Sequence, residues 1–394
     1  MACVKAPSCA NPSGMQNFWG DEMRLFLLFV GVSVSLSLIL TGGQAKAASP
    51  MITAYKAYLA AMDQGDLLKA DTQGEIAWRE AEKAKNYNYS AILAYNLAEL
   101  RIRHLPARDA VTPAKRAYEL AKSTPDSALN VSDAQILSAL AAIIKKRTKS
   151  TDRAVRKALG QLKDGQYEPN YPIFRAHYEL MRAADSRGEL KRAMQESKIA
   201  QAIYAAAEMD DPVILASAKI FYASELLAYT RFKKMEEARV EFQAALDLLG
   251  PQPYNNPSHL AQNIRVWEMV ANAVHESNGE PDQKLGLNVP DMVGRPENCP
   301  EVQWIKRDAP KYPRVAAVKG YFGAALLNYA LDENGQLHDI KVSAELPVRR
   351  FGLLAAETMK TWRAKPLKGA PAACMKHREV PFKFIFEPVK KSLR

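Results

Sequence analysis

The sequence predicts two kinds of architecture in series: an α-helical array, then a small α+β unit with a three-stranded antiparallel sheet and two helices. Three observations carry this expectation. From about Ala54 to Glu276 no proline-bounded strand pattern occurs, and alanine, leucine, glutamate and lysine dominate, which is the composition of helix. Between Pro310 and Phe386, turn residues, period-two alternation and one helical stripe follow in close order. Ahead of both, the run from Leu25 to Leu40 holds no charge.

That run sets the first boundary. Met23-Arg24 precede it and Ala45-Lys46-Ala47 follow it, the small-residue pattern of a signal-peptidase site. Residues 1–47 therefore read as a signal peptide, with cleavage after Ala47 and Ala48 as the first mature residue. The stretch before Met23 is long for a signal sequence and carries Asp21 and Glu22, so Met15 and Met23 are alternative starts. The competing reading is an uncleaved membrane anchor. Its apolar segment, rich in serine and glycine, is short for a span of about 20 residues.

Residues 48–276 form the helical region. Its clearest phrase runs from Phe221 to Pro251: Tyr222, Leu226, Leu227 and Tyr229 on one helix, a turn at Arg231 to Met235, Ala238, Phe242, Ala245 and Leu248 on a second, and Gly250-Pro251 as the stop. An earlier copy runs through Phe174, Tyr178, Leu180, Gly188, Ala193 and Ala200, and a weaker one through Tyr95, Leu97, Leu100, Ala110, Ala117 and Leu120. The phrase resembles the tetratricopeptide repeat, in which a large aromatic on one helix packs against a small alanine on the next. The spacing of Ala193 and Ala238 exceeds the usual period of about 34, so the array is divergent. The resemblance implies a groove that holds a peptide or a helix. A plain helical bundle without a groove is the alternative.

Residues 277–300, rich in glycine, proline, asparagine and aspartate, read as a linker. Residues 301–387 form the α+β unit. Tyr312-Pro313 opens a short helix with Ala316 and Ala317. Gly320 and Gly323 release the chain into a strand with Ala325, Leu327, Tyr329 and Leu331 on one buried face. Asp332-Glu333-Asn334-Gly335 turns it, and Leu337, Ile340 and Val342 carry the returning strand. Phe351, Ala355, Thr358, Met359 and Trp362 make a helical stripe. Val380, Phe382, Phe384 and Phe386 alternate with Pro381, Lys383, Ile385 and Glu387 in the last strand. Residues 388–394 are a basic tail.

At Tyr312-Pro313, Ala316, Gly320, Leu331-Asp332, Gly335, Asp339, Val342, Phe351, Ala355, Trp362-Arg363, Pro366 and Val380-Pro381-Phe382-Lys383-Phe384, order and spacing together resemble the TonB C-terminal domain. That is the periplasmic end of a transducer that grips outer-membrane receptors. The resemblance covers about the last quarter of the chain and implies a non-enzymatic periplasmic protein. Its last strand would offer an edge, Glu379, Val380, Lys383, Ile385 and Phe386, to an extended segment of an outer-membrane or envelope protein in TonB-type transport. The TonB transducer also carries a histidine in its membrane helix and a long proline-rich spacer. Neither occurs here, so the resemblance implies the binding fold more than the engine. The alternative is a periplasmic scaffold or adaptor for envelope proteins or cell wall, uncoupled from proton-motive force, and an inner-membrane anchor facing the periplasm is the alternative location.

Charge and cysteines refine this. The net charge is +11, and from Pro296 onward 18 Lys and Arg stand against 10 Asp and Glu. The carboxy-terminal unit is the basic part, suited to acidic segments or anionic surfaces, and export makes nucleic acid an unexpected partner. Cys3 and Cys9 precede the hydrophobic run; Cys299 and Cys374 flank the α+β unit. In an oxidising compartment they are expected as a disulfide, worth about 4 kcal/mol in the chain-entropy model. A metal site using Cys299, Cys374 and His377 is the alternative. The six histidines are scattered, and neither H-E-x-x-H nor G-x-S-x-G occurs. A non-enzyme without cofactor or metal is expected, and His275-Glu276 reads as a helix-end feature.

Overall fold

A computed structural model describes residues 49–384 apart from 126, 163–167, 254–258, 281, 291–295, 297–298, 313, 315, 317–322 and 347–350. The signal peptide with Ala47 and Ala48, most of the helix expected after Tyr312-Pro313, and Ile385, Phe386 and the basic tail fall outside the described residues; Ala316 of that helix is described and buried in the α+β core. The chain divides into two compact units, residues 1–147 with 153–162, and residues 148–152 with 163–394.

In the first unit α1 (Pro50–Asp63), α2 (Leu67–Lys83), α3 (Tyr87–His104), α4 (Val111–Ser123) and α5 (Val131–Lys145) each pack on the next. The starts are set by side-chain caps: Ser49, Asp66, Asn86 and Asn130 each accept a backbone amide of the first turn, satisfying donors the helix cannot. Gly65 and Lys85, both at positive φ, turn the chain between helices. Ala77, Ala81, Ala91, Ala94, Ala98 and Ala117 are fully buried, and their small size lets the helix backbones approach. Arg101, buried on α3, is held by Asp71 and Glu75 of α2. Next comes α6 (Lys149–Leu159).

The second unit continues with α7 (Tyr171–Asp185), α8 (Leu190–Ala206), α9 (Pro212–Thr230), α10 (Met235–Leu249) and α11 (His259–Ser277). The expected phrase is present here: Ala193, Ala200, Tyr222, Leu226, Leu227, Ala238, Phe242 and Ala245 are buried, Arg231 and Phe232 turn at positive φ, and Gly250 ends α10 at φ 62°. Tyr229 departs from it. Its ring is 53% exposed, because it points away from the layer in which Leu226 and Leu227 meet α10. α9 is long and apolar enough to cross a membrane, yet most of it is buried among its neighbours.

The α+β part contains β1 (Trp304–Lys306), β2 (Gly323–Leu331), β3 (Leu337–Leu346), α12 (Gly352–Met359), β4 (Arg363–Ala364), α13 (Ala372–Met375) and β5 (Arg378–Phe384). Three strands pair antiparallel in the order β3–β2–β5, and β1 pairs β4 as a separate ribbon that the sequence pattern did not announce. One face of the sheet carries Ala325, Leu327, Tyr329, Leu331, Val380, Phe382 and Phe384, packed against Phe351, Ala355, Met359 and Trp362.

The expectation of a single buried face is corrected by α11. Val266 and Val270 of that helix pack on Ala324, Leu326 and Ala344, so β2 is covered on both sides. A further correction concerns local geometry. Trp362 follows α12 rather than lying on it, and its indole N–H donates to the Asp308 carbonyl at 2.8 Å. Val342 does face inward, opposite Leu327 and against Gly352 of α12, yet it stays 39% exposed because β3 is an edge strand.

The stretch read as a linker is partly held by the helices. Leu285 is buried with α9, α10 and α11 side chains. Its amide donates to Asn272, and that of Leu287 to Glu268.

Candidate functional site

A three-stranded sheet has two edges, and here they differ. β3 carries one extra residue at each of two points along its pairing with β2, and such bulges spoil an edge as a template for another strand. β5 pairs with β2 without a break, from Gly323 opposite Phe384 to Tyr329 opposite Arg378. Its other side has no strand partner among the described residues. Pro381 fixes which groups face out. It has no N–H, so its position opposite Leu326 is one whose backbone groups point away from β2. Antiparallel alternation gives Glu379 and Lys383 the same outward direction. The free edge therefore presents amides at Glu379 and Lys383 and carbonyls at Glu379, Pro381 and Lys383, with a donor missing in the middle.

The side chains follow the alternation. Val380, Phe382 and Phe384 are buried; Phe384 packs on Phe351 with ring centroids 4.5 Å apart and Phe382 on Trp362 at 5.4 Å. Lys383 is exposed. Glu379 differs from the expected outward set, because α11 covers that end of the strand: Arg265 donates to it at 3.0 Å and Gln262 at 3.4 Å. Burial pushes the Glu379 carboxyl above the ordinary range, opposed by the charge and hydrogen bond of Arg265 and then by Gln262.

The start of β5 is fastened from the other side. Cys299 and Cys374 are joined as a disulfide with Cα atoms 5.3 Å apart, so neither sulfur is a thiolate available to a metal. Arg378 donates to the Cys374 carbonyl at 2.7 Å and to the Pro300 carbonyl at 3.1 Å, tying both flanks of the bridge to the first residue of the strand. Among the described residues no group of three or more His, Cys, Asp and Glu side chains gathers as metal ligands would. His275 is buried, not a surface feature: its ring nitrogens lie 2.8 Å from Glu280 and 3.2 Å from the Phe232 carbonyl.

Strand alternation in the sequence brought out Val380, Phe382, Phe384 and Lys383. Arg265 and Gln262 were missed. They lie more than a hundred residues from Glu379, and only their placement on a helix that begins beside β5 connects them.

Residues 308–386 match the family described as Gram-negative bacterial TonB protein C-terminal. Protein TonB of Pseudomonas aeruginosa is 29% identical over 69 residues, 18% of this chain and 20% of that protein. The chain thus spans about a fifth of the length of the curated relative it matches, and the helical region lies outside the family match.

Proposed function

We propose that this chain, which carries a TonB-type domain at residues 308–386, is a non-enzymatic envelope protein that captures an extended segment of a partner by adding it to β5. The observation that supports this best is the contrast between the unbroken β5 edge and the twice-bulged β3 edge. Backbone pairing supplies affinity to any extended segment, and outward side chains such as Lys383 select among segments. The partner is the periplasmic segment of an outer-membrane or other envelope protein, and the protein is exported to the periplasm.

The missing donor at Pro381 has a consequence for the mode of addition. Among the described residues a docked strand draws its amide hydrogen bonds from Glu379 and Lys383, on either side of that gap. A photo-crosslinking residue at position 383 should trap the partner in living cells. Lys383→Pro, which removes an outward amide and leaves the buried phenylalanines in place, should lower capture more than it lowers the melting temperature. Full capture by a folded Lys383→Pro protein would move the binding surface to the helical stack, the scaffold reading, in which a peptide or helix lies along the helices.

A further inference from the structure

The β1–β4 ribbon has no part in the edge-strand reading and carries an unusual surface. Residues 301–311 and 360–368 hold seven Lys and Arg against two acids, Glu301 and Asp308, and β1 pairs with β4 to bring the two stretches together. Lys306 stands opposite Arg363, and the register shifts between Trp304 and Lys306, so Ile305 is the extra residue of a bulge. Its side chain is 66% exposed, between a half-buried tryptophan and two cations.

The charges are partly matched. Lys306 pairs with Asp308 at 3.2 Å, and the turn carrying Asp332 and Glu333 lies beside β4, since the Ala364 amide donates to the Gly335 carbonyl. Lys360 pairs with Glu357 at 2.6 Å, whereas Lys311, Lys365 and Lys368 are exposed. The exposed Arg307 guanidinium sits over Trp362 at 5.0 Å and Trp304 at 5.9 Å. A solvated charged face needs neither the exposed isoleucine nor the indole-backed arginine.

We propose that this ribbon docks on an anionic bilayer, with Lys and Arg meeting headgroup phosphates and Ile305 entering the headgroup boundary. Charge complementarity selects the anionic surface, and Ile305 selects a bilayer over a soluble polyanion, which offers an isoleucine nothing. The ribbon is a sheet of its own that does not pair with β5, and the inference is tested without reference to strand addition.

The test uses protein as recovered from cells and vesicles of phosphatidylethanolamine containing phosphatidylglycerol, against vesicles of phosphatidylcholine alone. Co-sedimentation should favour the anionic vesicles. Lys365→Ala and Lys368→Ala should each weaken partition by about fivefold at low salt, and Ile305→Ser by about tenfold, a loss that persists at high salt. All three positions are exposed, so the variants keep the fold, which circular dichroism verifies. Equal binding to both vesicle types would overturn the proposal. So would an Ile305→Ser protein that binds as the parent does while the lysine variants lose binding, which would assign the surface to a soluble polyanion.

Discussion

Phe382 and Lys383 are neighbours in sequence and opposites in consequence. Phe382 and Phe384 fill the space between the sheet and Phe351 and Trp362, so truncating either to alanine should cost about 3–5 kcal/mol in denaturant unfolding. Lys383→Ala should stay within about 0.5 kcal/mol of the parent. Gly323 shows the same packing from the backbone side. A Cβ there would collide with the Phe351 ring, and Gly323→Ala should cost about 1–3 kcal/mol by overpacking. Glu225 on α9 is a buried acid whose carboxyl is pushed up to about 8, by burial first and then by the hydrogen bond and charge of Asp185. A raised folded-state value means that its stabilising contribution is present below the ordinary glutamate range and is lost as pH rises toward about 8. Unfolding followed across that window should show the parent losing stability that Glu225→Gln retains; parallel curves would contradict it.

At the scale of elements, α11 is the part that sequence reading could not place. Alternation in β2 gave the face toward Phe351 and Trp362, because Ala325, Leu327, Tyr329 and Leu331 are large or regularly spaced. The second face consists of Ala324 and Leu326 with Ala344 of β3, too small and too few to read as a buried surface without the helix that covers it. The bulges of β3 were equally silent, since nothing in Leu337, Ile340 and Val342 distinguishes a shifted strand from a regular one. The helical hairpins were legible where an aromatic and an alanine recur, as at Tyr222 and Ala238, and less so at Tyr229, whose spacing suits the stripe although its ring faces water. Val270→Asp places a charge between α11 and the sheet. It should destabilise the protein by about 3 kcal/mol or more, since no partner awaits a carboxylate there. An unchanged unfolding midpoint would mean that the helix contributes little to the sheet.

For the whole molecule, the proposed export of the chain links the Cys299–Cys374 disulfide with the apolar run ahead of Ala47. Thiol labelling of denatured, unreduced protein should find Cys299 and Cys374 blocked, and the mass of protein recovered from cells should correspond to a start at Ala48. Retention of Leu25 to Leu40 would revive an anchored form. The central claim remains the use of β5 as a docking edge, and amide hydrogen exchange reads it without substitution. With the envelope segment trapped through position 383 added to the protein, the amides of Glu379 and Lys383 should gain protection. Those of Val380 and Phe382, already paired with β2, should change little. Protection confined to the helical region, with Lys383 exchanging as fast as in the free protein, would contradict strand addition.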